Sequence, residues 1–300
     1  TIFLLLSALL VIELVSLGGL VLIKWIDLLR TGAVGLALLA AAIAWFGGFR
    51  APQIVELEQS VSGLQSESDG LKIVQISDVH LGAMLGRGTL ESLIEQVHSL
   101  EPDLLLITGD LIDGDAGVVE ELVPRLKELR ATKGVFAVLG NHEYYAGSKR
   151  SRKLFENAGF EVLDNQAVEV SPGVYLVGVP DALGAEQIGE PGADLGMALA
   201  NVPDDAFTVL MQHSPGEEIK AARAGIDLML NGHTHGGQIG LLLAFGTFAF
   251  ARLETPYVRG GFRLGDMLLV VCAGLGTSIT PFRYHAPPGI EIIEVRGWLR

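Results

Sequence analysis

The residues able to do chemistry in this sequence are grouped in short polar motifs that each follow an apolar run. The densest motif is residues 231–238 (NGHTHGGQ), where His233 and His235 lie two positions apart after the apolar run 225–230. At the end of a strand, this spacing puts both imidazoles on one side, and the neighbouring glycines allow a sharp turn. Imidazole is the commonest metal ligand in proteins. A polar turn with two solvated histidines would explain an isolated pair equally well.

The pair is not isolated, because four other apolar runs end in similar residues. The residues at these four run ends are Asp78 and His80 after KIVQIS, Asp110 after DLLLIT with Asp113 three positions later, Asn141 and His142 after VFAVL, and His213 after FTVLMQ. Sites in open α/β sheets collect at the carboxyl ends of strands. Oxygen and imidazole ligands without thiolate favour Mn, Fe or Zn in a catalytic site. The sequence therefore predicts a metal site, to which the loop 276–288 with His285 could contribute a border.

The chain from Leu71 onward predicts an α/β domain with a layered architecture. Apolar, β-branched runs alternate with amphipathic segments, such as residues 89–100 and 118–130, whose apolar residues recur at helical spacing. Two facing mixed β-sheets flanked by helices fit the number of strands. We interpret residues 71–300 as one catalytic domain and the acidic, Ser-containing residues 51–70 as a linker.

The first fifty residues are interpreted as a transmembrane hairpin. Two apolar runs, residues 2–23 and 31–49, are each long enough to cross a bilayer as a helix. Glu13 interrupts the first run, and since a charge is costly in lipid, it is expected to face the other helix or a surface. Lys24 and Arg30 lie in the link, which favours a cytoplasmic link and an extracytoplasmic catalytic domain. A secretory signal and a buried helical hairpin are the alternatives.

The amino-acid composition restricts the classes of partner that the chain is expected to bind. A net charge of −14 argues against nucleic acid, because phosphate-backbone binding needs a basic surface. It does not exclude a phosphorylated group at a metal site, where the ions supply the positive charge. The single cysteine, Cys272, cannot form an internal disulfide and is interpreted as a core thiol within the run LLVVCAG.

The motifs DxH, GD, GNH, a lone His and GHTH, in this order, resemble those of calcineurin-like metallophosphoesterases over about residues 71–295. Three longer segments that contain or adjoin these motifs are similar to the membrane-linked bacterial branch of this family; they are GRGTLESLIEQV, PDLLLITGDLIDG and NGHTHGGQ. That branch includes phosphodiesterases and proteins proposed to cleave the pyrophosphate of UDP-2,3-diacylglucosamine. The resemblance implies a multi-pass protein of a bacterial inner membrane. One departure is that the soluble hydrolase of that pathway has Arg at the position of His142, so such an activity would resemble the membrane-associated type.

By position, the resemblance implies a site for two divalent ions, Mn, Fe or Zn. The first ion would be held by Asp78, His80, Asp110 and His235, and the second by Asp110, Asn141, His213 and His233. Asp110 would bridge the ions, and Asp113 would have a supporting role. Two such ions neutralise phosphate oxygens and make hydroxide available near neutral pH. His142, protonated, would stabilise the developing charge or protonate the leaving group, so His142 and Asp110 are the expected catalytic residues.

The expected function is therefore that of a membrane-anchored hydrolase of phosphodiester or pyrophosphate bonds in a small-molecule or lipid-linked substrate. A nucleotide or protein phosphatase using the same site is the alternative, and a non-catalytic membrane scaffold is a remote one. The apolar stretch 239–250 beside the ligands could be a lip for acyl chains or a buried layer. The downstream arginines could contact a second phosphate or form surface ion pairs; they are Arg252, Arg259, Arg263 and Arg283.

Overall fold

The computed structural model describes residues 2–16, 24–82, 85–114, 116–243, 246–278 and 280–298. The helices are α1 (Ile2–Val15), α2 (Ile26–Gly48), α3 (Arg87–Leu100), α4 (Ala116–Glu120), α5 (Val123–Leu126), α6 (Asn141–Tyr145), α7 (Ser148–Asn157), α8 (Ala182–Ile188), α9 (Leu195–Leu199) and α10 (Glu218–Arg223). The strands are β1 (Gln53–Ser62), β2 (Leu71–Ile76), β3 (Leu104–Thr108), β4 (Val135–Val138), β5 (Glu161–Val162), β6 (Gln166–Ser171), β7 (Val174–Gly178), β8 (Phe207–Met211), β9 (Leu228–Asn231), β10 (Gly240–Leu243), β11 (Gly246–Ala249), β12 (Gly260–Leu264), β13 (Met267–Val271) and β14 (Gly289–Trp298).

The first sheet has the strand order β1-β14-β2-β3-β4-β5. Strands β2 to β5 run parallel because helices connect them, whereas β14 returns antiparallel to β2. Every residue of β3 and β4 is buried, as expected for parallel strands that are covered on both faces.

The second sheet has the order β12-β13-β9-β8-β7-β6, with a parallel centre and antiparallel edges. Apolar side chains of the two sheets, among them Ile73, Leu106, Leu176 and Val209, form one shared core. Helices α3, α5 and α7 pack on the outer face of the first sheet, and α9 and α10 on that of the second. The predicted pair of mixed sheets flanked by helices is therefore confirmed. Within the described part of the chain, β10 and β11 form a separate two-stranded hairpin.

Two segments differ from the sequence-based expectation. Within the expected linker, residues 53–62 form β1, which pairs in parallel with β14 along its whole length. Alternate side chains of β1 point to the same face of the sheet. Leu57 and Val61 therefore pack against the shared core, while the acidic residues of the strand are exposed. The single helix expected over residues 118–130 is two short helices, because Pro124 lacks a backbone N–H and its ring clashes with the preceding turn.

The N-terminal helices agree only in part with the expected transmembrane hairpin. Among the described residues, only α2, with 23 residues, is long and apolar enough to span a membrane. Helix α1 has 14 residues, and residues 17–23 of the first apolar run lie outside the described part. Glu13 faces α2 as predicted, because its carboxylate accepts a hydrogen bond from Arg30 Nε at 2.9 Å.

Candidate metal centre

The predicted ligands come together where five strands of the two sheets end. Asp78 and His80 follow β2, Asp110 follows β3, Asn141 and His142 follow β4, His213 follows β8, and His233 and His235 follow β9. Three groups have ligand atoms within 4.8 Å of one another; they are Asp78, His80 and His235, then Asp110, His213 and His233, and finally His80, Asp110 and His142. The ends of the parallel strands therefore converge from both sheets on one candidate metal centre.

The first group converges on a single point. The Nε2 atoms of His80 and His235 lie 3.0 Å apart, and Asp78 Oδ1 lies 3.4 Å from His235 Nε2. Both rings are buried, and neither Nδ1 atom has a hydrogen-bond partner among the described residues. Two imidazole nitrogens facing each other beside a carboxylate are the donor set that a divalent ion requires. Asp78, His80 and His235 are therefore suited to bind one divalent ion.

The second group is built around the carboxylate of Asp110. His213 Nε2 lies 3.1 Å from Asp110 Oδ2, while His213 Nδ1 is 2.7 Å from the carbonyl oxygen of Thr108. This contact assigns the proton to Nδ1 and leaves Nε2 for a ligand. Asn141 Oδ1 lies 3.0 Å from His233 Nδ1. Since Asp110 Oδ2 is also 3.8 Å from His80 Nε2, its carboxylate stands between the two groups, where a bridging ligand belongs.

The backbone at these positions is strained. Asp78, His80, Asp110, His233 and His235 all have φ between 51° and 70°, a region that residues other than glycine rarely adopt. Such strain collects at functional sites and persists only where the surroundings impose it. Here the loops support one another, because the amide of His80 donates to the Asp110 carbonyl at 3.0 Å and that of His233 to the Asp78 carboxylate at 3.0 Å.

The protonation states suit metal binding. Burial lowers the pKa of His80 to about 4 and also lowers the pKa values of His233 and His235, so these imidazoles are neutral at physiological pH. Neutral imidazole is the form that coordinates metal. His213 is the exception. Burial opposes the charged forms of Asp110 and His213, but their mutual attraction lowers the pKa of Asp110 and holds that of His213 well above its usual value, so His213 must release a proton from Nε2 when it binds a metal ion.

His142 differs from the other histidines in exposure and contacts. Its side chain is 21% exposed, and its Nδ1 is 2.8 Å from Asp113 Oδ1. Its backbone amide donates to Asp110 Oδ1 at 2.9 Å. Asp113 therefore orients the ring through Nδ1, which agrees with the supporting role expected for Asp113.

Glu143 is a positioning residue whose role the sequence did not reveal. It is fully buried, and its carboxylate accepts backbone hydrogen bonds from Asp110 at 2.8 Å, from Gly140 at 2.7 Å and from Ile112 at 3.0 Å. Burial raises its pKa to about 8. Glu143 thus ties the loop after β3 to the loop after β4. Its place in the GNHE motif was visible, but its burial depends on the fold.

Arg283 has a different role from those expected for the downstream arginines. It is only 2% exposed, and its guanidinium contacts neither solvent nor a carboxylate among the described residues. Instead it donates to five backbone carbonyl groups, those of His235, Ala273, Gly274, Gly276 and Ala286. Because one of them belongs to a predicted ligand, Arg283 holds the His235 loop in place. Burial lowers its pKa to about 10, so it remains charged at neutral pH.

The apolar stretch 239–250 is partly described. Its backbone forms the hairpin β10–β11, and the base of the hairpin is bonded to Tyr284, because the Gly240 amide donates to the Tyr284 carbonyl at 2.8 Å. Residues 244 and 245 lie outside the described residues, and of residues 241–243 only the backbone is described. The choice between a lip and a buried layer therefore stays a prediction.

Fold, site and relatives together define a metal-dependent phosphoesterase. The profile of the calcineurin-like phosphoesterase family matches residues 71–237, and the chain belongs to that family. It is 35% identical to a protein named uncharacterized metallophosphoesterase from Aquifex aeolicus (strain VF5), over 76% of this chain and 85% of that protein. It is 29% identical to an uncharacterized metallophosphoesterase from Bacillus subtilis (strain 168), over 87% of this chain and 94% of that protein.

A relative from Bos taurus connects the family with membranes. It is named transmembrane protein with metallophosphoesterase domain, and it is 32% identical over 79% of this chain. The match spans 55% of the bovine protein. Together with α2, this relative indicates membrane association.

Proposed function

We propose that the chain is a membrane-anchored, two-metal hydrolase that cleaves a phosphodiester or pyrophosphate bond in a lipid-linked substrate. The main observation in its support is the direct contact between the apolar helix α2 and the segment that holds the His235 loop. The Arg283 amide donates to the carbonyl oxygen of Ala44 in α2 at 2.9 Å. The Arg283 guanidinium in turn donates to the His235 carbonyl at 3.1 Å. One residue therefore connects the candidate membrane helix with the candidate metal centre.

The contact between α2 and this segment is close. A Cβ atom at Gly47 would lie 2.1 Å from the Arg283 carbonyl oxygen, and one at Gly48 would lie 2.6 Å from that of Pro281. The ring of Trp45 packs edge-on against Phe282 with 5.8 Å between ring centroids. Aromatic side chains of this kind are common where a helix leaves the bilayer. The arrangement supports a metal centre that lies at the membrane surface.

Exposed apolar side chains come directly after the hairpin in the chain. Phe250 is 52% exposed and Leu253 is 74% exposed. The hairpin base is bonded to Tyr284, the neighbour of Arg283, so these residues are joined to the segment that contacts α2. A cluster of exposed apolar residues beside a membrane helix favours contact with lipid.

The chain's own residues have separable roles in the proposed reaction. Asp78, His80, Asp110 and His235 would hold one ion, and Asp110, Asn141, His213 and His233 the other. When bound, two divalent ions supply Lewis-acid stabilisation of phosphate charge and lower the pKa of water. His142, oriented by Asp113, would stabilise charge on the phosphoryl group or donate a proton to the leaving oxygen through Nε2. Glu143 and Arg283 keep the ligand loops in position.

The test is hydrolysis by the full-length protein in detergent and in lipid nanodiscs. Metal would be stripped and Mn, Fe, Zn or Mg added back, with bis-p-nitrophenyl phosphate, p-nitrophenyl phosphate and a lipid-linked pyrophosphate as substrates. We expect metal-dependent cleavage of the diester and pyrophosphate, lost in Asp110→Ala and His142→Ala but kept in His98→Ala, a histidine remote from the site. Preference for the monoester would favour a phosphatase, and equal cleavage of soluble and lipid-linked pyrophosphates would contradict the lipid assignment.

A further inference from the structure

A cavity of about 220 Å³ lies against the His235 loop at Gly236. Its polar lining comes from Arg252, Arg259 and His285, and its floor includes Gly236, the residue directly after His235. Pro256, Val258 and Phe262 supply apolar walls. The cavity is thus basic and lies next to a predicted metal ligand.

Two contacts hold the segment that carries Arg259 against the His235 loop. Thr234, which lies between His233 and His235, donates through Oγ1 to the carbonyl oxygen of Val258 at 2.6 Å. A Cβ atom at Gly236 would lie 3.4 Å from Arg259 Cδ, so the arginine stem passes directly over the loop. The position of Arg259 is therefore determined by the same segment that positions the two histidines.

The charge of the cavity contrasts with that of the molecule. Within the described part of the chain, neither Arg252 nor Arg259 forms a hydrogen bond or an ion pair through its guanidinium, although Glu254 lies between them in sequence. Arg87, by contrast, pairs with Glu91 at 2.8 Å. Both side chains are exposed, so their guanidinium groups are free to meet a ligand from solvent. In a chain with a net charge of −14, two such groups that line one cavity offer forked donors of the kind that bind an anion.

We propose that this cavity binds a second phosphate group of the substrate, one that the metal ions do not hold. The proposal rests on the proposed function and specifies its substrate class as compounds with two phosphoryl groups. The metal centre would receive the scissile phosphorus, and the forked guanidinium groups of Arg252 and Arg259 would receive the other phosphate, with His285 at the rim. A simple diester such as bis-p-nitrophenyl phosphate leaves this cavity unused.

The difference between the two substrate types is the basis of the test. Full-length wild type, Arg252→Ala and Arg259→Ala would be assayed in detergent on bis-p-nitrophenyl phosphate and on a pyrophosphate diester, with Arg296→Ala as the matched control because Arg296 pairs with Glu294 on β14. We expect kcat/KM for the pyrophosphate diester to fall about tenfold in each cavity variant, mainly through KM, because a charged hydrogen bond is lost. Activity on bis-p-nitrophenyl phosphate should stay within about twofold of wild type, since that substrate makes no such bond. An equal loss on both substrates, or no loss on either, would overturn the proposal.

A second measurement does not depend on turnover. Inorganic phosphate would be titrated into the metal-stripped protein, and we expect binding that Arg259→Ala abolishes and Arg296→Ala retains; binding that is unchanged in Arg259→Ala would overturn the subsite. If wild type cleaves neither substrate with any metal, the proposed function fails while the titration still decides the subsite. Free phosphate that competes with the pyrophosphate diester in wild type but not in Arg259→Ala supports a substrate subsite. Activation of bis-p-nitrophenyl phosphate cleavage by phosphate would show a regulatory site instead and overturn the proposal.

Discussion

Arg283→Met should destabilise the protein strongly and remove one of the two ions. Methionine keeps the apolar stem but removes every side-chain donor. Among the described residues, this leaves the carbonyl groups of Ala273, Gly276 and Ala286 without a partner, while those of His235 and Gly274 keep bonds from the Gln238 and Gly289 amides. An unsatisfied buried polar group costs about 1–3 kcal/mol, and entering water recovers part of that cost. Three such groups together cost about 4 kcal/mol after that recovery. We therefore expect the free energy of unfolding to fall by about 4 kcal/mol.

Thermal unfolding of the metal-stripped, full-length protein separates this effect from metal binding. For a domain of this size, about 4 kcal/mol corresponds to a Tm lower by about 10 °C. Arg283→Lys should lie between Arg283→Met and wild type, because an ammonium group offers three donors that cannot fork across five carbonyls. Arg296→Met is the control, since its exposed pair with Glu294 contributes about 1 kcal/mol or less.

The metal content of Arg283→Met should show which of the two ion sites depends on Arg283. Arg283 holds the carbonyl of His235, a predicted ligand of the first ion. In the second group only His233 shares that loop, whereas Asp110 and His213 follow β3 and β8. In Arg283→Met at limiting metal, elemental analysis should show close to one ion per chain where wild type retains two. If Arg283→Met unfolds within about 2 °C of wild type and retains both ions, the role assigned to Arg283 is refuted.

Three further predictions test other parts of the site and core. Glu143→Gln should reduce the content of both ions at limiting metal, because its amide cannot accept all three backbone N–H groups; unchanged elemental analysis would contradict its positioning role. Gly232→Ala should abolish metal binding, because its Cβ would lie 1.9 Å from Ser77 Oγ, while Gly192→Ala, with open space around it, should bind metal normally. Burial raises the pKa of Glu291 from 4.5 to about 7, so its carboxyl favours folding below pH 4.5 and loses that contribution as the pH rises through 7. Glu291→Gln should therefore be more stable than wild type at pH 8 by up to about 3 kcal/mol and unfold at a higher temperature there. At about pH 4, below the unfolded pKa, the two proteins should unfold at the same temperature; an equal difference at both pH values would contradict this.

Much of the fold was predictable because buried parallel strands have a plain sequence signature. The run DLLLIT has four consecutive apolar residues, and the structure buries every residue of β3 on both faces. The run QIVELEQSVS was less informative, because an edge strand buries one face only and acidic residues on the other face resemble a solvated linker. The break before Pro124 could have been read from its chemistry, but the apolar spacing across residues 118–130 suggested one helix.

By itself, the sequence determined which residues reach the candidate site. Strand ends are marked by where apolar runs stop, and Asp, Asn and His at those points must lie at the sheet edge, so Asp78, Asp110 and His235 could be located before any fold was known. The tertiary structure alone decided which residues hold them there. Glu143 and Arg283 look like surface charges in the sequence, since burial of a charge depends on backbone groups that arrive from distant segments. The same holds for the basic cavity of Arg252 and Arg259, because its walls form only when residues 249–262 fold back over the His235 loop.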